Sequence, residues 1–97
     1  MANKDARSSV FHALSDPSRR KVLRLLAERS LSAGEIAEHF AFTKPTLSRH
    51  LKVLRDADLV VSEREGTNIY YSANLSVLED TVLGLMNGLG IGDTHES

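Results

Sequence analysis

Apolar residues recur along the chain in distinct rhythms, and each rhythm predicts a different element. Val10, Phe11 and Leu14 have helical spacing, which predicts a first helix over Lys4 to Leu14. Ser15-Asp16-Pro17 then ends one helix and starts the next. Asp16 is a good N-cap, and Pro17 suits the first helical position, where no amide bond is lost. The second helix runs to about Glu28, with Val22, Leu25 and Leu26 as its buried stripe, backed by Leu23. Ser32-Ala33-Gly34-Glu35 matches a capping box and opens a short helix holding Ile36, Ala37 and Phe40. After a break at Ala41-Phe42, Thr43 caps a fourth helix, with Pro45 tolerated in its first turn. Leu47, Leu51 and Leu54 form a narrow stripe at i, i+4 and i+7, and Thr46, Ser48, Arg49 and Lys52 point away from it.

The rhythm then changes. Leu59 to Glu65 reads as a strand and Ile69 to Ala73 as its return. They are joined by Glu65-Gly66-Thr67-Asn68, where Gly66 and Asn68 can take positive φ. Asn74 caps a last helix. In it Leu75, Leu78, Val82, Leu85 and Leu89 recur at spacings of 3, 4, 3 and 4, a heptad-like seam for packing helix on helix. The expected fold is mainly α with a small β-hairpin, a winged helix-turn-helix in the order α-α-α-α-β-β-α. One DNA-binding and dimerisation domain is expected over residues 1–92, with a solvated tail over 93–97.

Charge first argues against a nucleic-acid partner and then for one. The 97 residues include 12 basic and 13 acidic ones, for a net charge of -1. A nucleic-acid binder is expected to be basic. The average hides the distribution, however. Residues 1–29 carry +4 and residues 43–55 carry +4 with no acid at all, while 30–42, 56–65 and 66–97 carry -2, -3 and -4. The fourth helix is therefore the long element free of the negative charge that would oppose approach to phosphates.

Exclusions narrow the field. The chain has no cysteine, which removes disulfide frameworks, thiolate metal sites and cysteine nucleophiles. No apolar run is long enough to span a membrane, and the N-terminus lacks the apolar core of a signal peptide, so a soluble cytoplasmic protein is expected. No glycine-rich phosphate loop, nucleophile elbow or zinc-protease motif is present, so no enzyme and no cofactor are expected.

The candidate DNA-binding residues are Thr43, Lys44, Pro45, Thr46, Ser48, Arg49, His50 and Lys52 on the fourth helix, with Arg64, Thr67 and Asn68 on the wing. Arg49 suits a bidentate contact to guanine, and Thr46 or Ser48 a contact to bases or phosphates. Alone, such a helix face is simply solvated; after a capped short helix and before a hairpin it has the layout of a DNA reader. For Arg64 the pull of a minor groove stands against Glu63 and Glu65 beside it. Of Tyr70 and Tyr71, one is expected in the core and one on the opposite face. The candidate dimer interface is Val10, Phe11 and Leu14 with Leu78, Val82, Leu85, Met86 and Leu89; the same residues could instead pack back on their own subunit. So small a core makes purely intrachain packing the harder case. Gly84 and Gly88 either permit close helix approach or mark a fraying end. The pairs His12/Asp16 and Glu35/His39 are short of a metal's usual ligand count and read as solvated polar pairs, and His50 suits a structural hydrogen bond better than a metal.

These motifs carry a family resemblance. Phe11-His12-Ala13-Leu14-Ser15-Asp16-Pro17-Ser18-Arg19-Arg20 resembles the opening signature of ArsR-type bacterial repressors. Leu31 to Ala37 resembles their first helix of the DNA-binding pair, Lys44 to Leu54 their recognition helix, and Glu65 to Tyr71 their wing. The compact length and the stretch Ala33 to Phe40 look closest to the SdpR-like autorepressor branch. The resemblance implies a homodimer joined through first and last helices, and repression by blocking a promoter. Its two recognition helices would read an inverted repeat of duplex DNA about 34 Å apart. The chain departs from the metal-sensing members: it has no Cys-x-Cys motif before the turn, and Glu79 and Asp80 on the last helix lack a histidine partner nearer than His95. Asp58 stands where the family usually has glycine. Two other readings remain: a winged-helix module that binds proteins rather than DNA, and a metal-sensing repressor with a non-cysteine site. Any protein or small-molecule effector is unknown.

Overall fold

Three of the five helix starts in this computed structural model, those of the second, third and fourth helices, are each set by a capping residue that the sequence marks. The structure describes residues 2–91; the tail expected over 93–97, and His95 with it, lies outside the described residues. Five helices and three strands follow in order: α1 (Ala2–Leu14), α2 (Pro17–Glu28), β1 (Leu31–Ser32), α3 (Ala33–Ala37), α4 (Lys44–Asp56), β2 (Val60–Glu65), β3 (Asn68–Ala73) and α5 (Leu75–Gly88). Asp16 caps α2 by accepting from the Arg19 amide at 3.1 Å, with Pro17 at the first position. Ser32 and Glu35 complete the capping box of α3: the Glu35 amide donates to Ser32 Oγ at 3.2 Å and the Ser32 amide to Glu35 Oε1 at 2.9 Å.

Several expectations need correction. The sheet has three strands, not two, in the order β1-β3-β2, all antiparallel, with Leu31 opposite Tyr71 and Ser62 opposite Tyr71 on the other side. A two-residue strand has no alternation to read, so only its tertiary pairing makes β1 a strand. The helix α3 stops at Ala37, leaving Phe40 outside it, where its ring stacks on Phe42 at 5.0 Å. Gly66 takes positive φ in the hairpin turn, but Asn68 does not; it is already the first residue of β3. Asn74 occupies the N-cap position of α5 without a side-chain cap bond, and its backbone N–H donates to the Leu59 carbonyl at 2.8 Å instead.

The C-terminal ends of α4 and α5 close in the same way. After α4 the Leu59 N–H reaches the Leu54 carbonyl and the Asp58 N–H the Arg55 carbonyl, each at 2.9 Å, with Asp58 at φ 60. After α5 the Ile91 N–H reaches Met86 at 2.8 Å and the Gly90 N–H reaches Asn87 at 3.1 Å, with Gly90 at φ 77. Both are Schellman motifs, one built on glycine and one on aspartate. The helix α5 thus runs through Gly84 and does not fray there.

The core gathers Val10 and Ala13 of α1, Val22, Leu23 and Leu26 of α2, Leu31, Ile36, the α4 stripe Leu47, Leu51 and Leu54, then Ala57, Leu59 and Val60. Tyr71 packs against it from the sheet, as one of the two tyrosines was expected to do. No residue of α5 is fully buried, although Val77 and Leu78 lean on the core. The molecule is accordingly elongated, 53 × 26 × 22 Å, with a radius of gyration of 15.2 Å against about 13 Å for a compact chain of this length.

Candidate nucleic-acid interface

The helix α4 presents its polar residues because its three leucines are anchored beneath it. Thr43 Oγ1 accepts from the Thr46 amide at 3.3 Å, and its hydroxyl donates to Thr46 Oγ1 at 2.9 Å. This fixes the first turn, where Lys44 and Pro45 are exposed. Thr46 is half-buried and occupied by the cap, whereas Ser48, Arg49 and Lys52 are exposed. The first turn carries no acid, and free amides at a helix start favour anions. Lys52 Nζ donates to Asp56 Oδ2 at 3.0 Å; both groups are exposed, so the pair is worth about 0–1 kcal/mol and is readily exchanged for another anion.

The wing separates its charges by strand alternation. In the β2–β3 register Arg64 lies opposite Ile69 and Glu63 opposite Tyr70. Side chains two apart share a face, so Arg64 sits with Ser62, Tyr71 and Ile69 on the helix-facing side of the sheet. Glu63 and Glu65 take the other side. The adjacent carboxylates therefore oppose Arg64 less than their sequence position suggests. Arg64, Thr67 and Asn68 are all exposed.

His50 is misplaced in the DNA-facing set. Its side chain is only 12% exposed; it turns inward, edge-on to the Phe42 ring at 5.1 Å, with Nε2 3.9 Å from Asp16 Oδ2. Nδ1 is buried with no hydrogen-bond partner in the protein, so the expected structural hydrogen bond is not made either. Burial pushes the imidazole pKa down; the Asp16 carboxylate opposes this, and Arg19 and Arg49 add to it. Asp16 thus caps α2 and faces α4 at once, a tie between the two helices. Among the described residues no group of three or more His, Asp or Glu could hold a metal ion.

Two residues with a clear role went unread in the sequence. Arg19, nearly fully buried, donates from Nε to the Ala13 carbonyl at 2.8 Å and from Nη2 to the His12 carbonyl at 3.0 Å. Arg20 Nη1 donates to the Leu14 carbonyl at 2.7 Å. These carbonyls are among the last of α1, which lack helical partners. The arginines therefore lock α1 onto the start of α2. The available signal was two arginines just after a helix end, which also fits an ordinary basic face.

The expected interface residues divide. Val10 is buried in the subunit's own core and offers nothing to a partner, because α1 turns it inward while Phe11, its neighbour, stays 42% exposed. Leu14, Leu78 and Met86 are half-buried. Leu75, Val82, Leu85 and Leu89 stand out from α5, Leu89 at 64% exposure. Phe11, Gly84, Leu85, Gly88 and Leu89 line a cleft between α1 and α5. A Cβ at Gly88 would meet nothing within 4 Å, so no close approach inside the subunit requires that glycine. Contiguous apolar surface of this kind marks an interaction face. No described helix is long and apolar enough to cross a membrane.

Comparison with known proteins places this geometry in a family. The sequence pattern of the bacterial regulatory proteins of the arsR family matches residues 16–62, from the α2 cap into the wing. The transcriptional repressor SdpR of Bacillus subtilis (strain 168) is 45% identical over 86 residues, 89% of this chain and 96% of that protein. Among solved structures, an ArsR-like transcriptional regulator from Rhodococcus sp. RHA1 superposes with a TM-score of 0.83 at 29% identity, covering 93% of this chain and 84% of that one. The homodimeric winged helix-turn-helix DNA-binding domain of a possible ArsR-family regulator from Mycobacterium bovis gives 0.74 at 28% identity, covering 99% and 90%.

Proposed function

The chain belongs to the arsR family of bacterial regulatory proteins, and we propose that it is a homodimeric, sequence-specific transcriptional repressor that needs no bound metal. The observation that carries this reading is the outer face of α4. It is exposed, anchored by three buried leucines, free of acid in its first turn, and flanked by a wing arginine segregated from its neighbouring carboxylates. In this reading α4 enters a major groove. Arg49 pairs with guanine O6 and N7, Lys44, Ser48 and Lys52 hold phosphates, and Arg64 with Thr67 and Asn68 reaches the adjacent minor groove. Repression follows from occupying promoter DNA.

Dimerisation supplies what one short helix lacks. The exposed apolar face of α5 and Phe11 favours a second copy, and the Mycobacterium bovis neighbour is described as homodimeric. A two-fold dimer implies an inverted-repeat operator with half-sites about one helical turn apart. Metal independence is supported by the chain's lack of cysteine and by the engagement of Asp16 and Glu35 in helix caps. A gel shift on the DNA upstream of the chain's own gene tests the reading. A retarded complex that contains two chains and persists in chelator is expected. Absence of any complex at low salt contradicts DNA binding, and loss of it on chelation contradicts metal independence.

A further inference from the structure

A cleft of about 290 Å³ separates the flank of α4 from the sheet, lined by Ala33, Ser48, Leu51, Lys52, Arg55 and Tyr71. Ser48, Lys52 and Arg55 lie at i, i+4 and i+7, so they share the side of α4 turned towards the wing. Tyr71 faces them from the middle strand, held in register by Leu31 on one side and Ser62 on the other. Leu51 is buried beneath. The lining therefore has four hydrogen-bond donors on two rigid elements and no carboxylate. Asp56, the acid one turn from Lys52, is taken up by it at 3.0 Å. Arg55 is exposed and forms no ion pair among the described residues.

This position has a geometric meaning if α4 lies in a major groove and the hairpin at the neighbouring minor groove. The strand of phosphates that divides the two grooves must then cross the gap between helix and wing. We propose that the cleft seats one of those phosphates, with the Arg55 guanidinium as its main donor and Lys52, Ser48 and the Tyr71 hydroxyl around it. The proposal rests on the DNA-binding reading above and adds Arg55 and Tyr71 to it. Arg presents a planar fork of N–H groups that matches phosphate oxygens, and a phosphate contact positions the protein without reading sequence. The competing role for Arg55 is that of a cation in the last turn of α4, stabilising the helix end through its dipole.

The two roles separate in salt dependence. Binding is measured by fluorescence anisotropy across a salt series, using a duplex selected from a random library against the wild-type chain and a second duplex of unselected sequence. For the wild type, affinity is expected to fall steeply with salt on both. Arg55→Gln is expected to weaken both duplexes by the same factor, about fivefold, and to reduce the slope of log K against log salt by about 0.9 per subunit. Arg55→Lys keeps the charge and should restore most of the slope, and Tyr71→Phe should give a smaller uniform loss. Thermal unfolding of Arg55→Gln should stay close to wild type. An unchanged slope in Arg55→Gln, while Arg49→Ala still reduces the preference for the selected duplex, overturns the phosphate seat and leaves the DNA reading intact. Loss confined to the selected duplex also overturns it, since that is the mark of a base contact. A wild-type chain that binds neither duplex removes both.

Discussion

His50 shows how one side chain can join two elements while looking like part of a third. On α4 it follows Arg49 and reads as polar surface, yet it is packed between Phe42 and Asp16. Its pKa is lowered, chiefly by burial. The native state therefore favours neutral imidazole, while the unfolded chain takes up a proton near pH 6.5. Because the folded pKa lies below the unfolded one, the group's contribution to stability is complete above about pH 6.5 and is lost as the pH falls towards the native value. Denaturant unfolding from pH 7.5 down to pH 5 should show this loss in the wild type and a flatter profile in His50→Gln. Parallel profiles would mean that His50 titrates alike in both states. The inward turn of His50 was not legible in the sequence, since its partner Asp16 is brought close only by the packing of α2 on α4. Val10 was hidden for a similar reason. Adjacent apolar residues at 10 and 11 both fit a helical stripe, and only the angle of α1, held by Arg19 and Arg20, decides which one is buried.

Element by element, the signals that carried through were those with a local physical cause. Asp16, Ser32 with Glu35, and Thr43 each cap the helix they precede, because a side-chain oxygen satisfies an amide three residues on whatever the tertiary structure. The hairpin followed from two strand-like segments joined by the Glu65-Gly66-Thr67-Asn68 turn. What failed was the strand β1, too short to show a period, and the side-chain cap at Asn74, which makes no cap bond while its backbone N–H is held by the Leu59 carbonyl just before β2. The paired helix ends allow a test in opposite directions. Asp58 adopts left-handed geometry that glycine adopts without a Cβ penalty, so Asp58→Gly should raise stability by about 0.5–1 kcal/mol. Gly90→Ala places a Cβ in that same geometry and should lower it by about 1 kcal/mol. Both changes are read by denaturant unfolding, and effects of the same sign would contradict the Schellman assignment.

At the scale of the whole molecule, a net charge of -1 conceals a division of labour. Basic charge is carried by the N-terminal third and by α4, the latter free of acid until Asp56, and the apolar surface left unburied is concentrated on α5 and Phe11. The last helix buries no residue completely, so in the proposed homodimer its exposed face is the one a second copy would cover. Leu85→Asp, at an exposed position of that face, should shift the protein to monomer in sedimentation equilibrium. It should also weaken operator binding by at least tenfold, because the second half-site contact becomes a separate binding event. A variant that stays dimeric would move the interface elsewhere. If the outer face of α4 reads DNA sequence, Arg49→Ala must change which duplex the protein prefers. Its binding to the duplex selected by the wild-type chain is compared with binding to an unselected duplex, with helix content checked by circular dichroism. The wild type should prefer the selected duplex strongly, and the folded variant should lose about 1–3 kcal/mol of that preference. A folded Arg49→Ala variant with the full wild-type preference would mean that the outer face of α4 does not read DNA sequence.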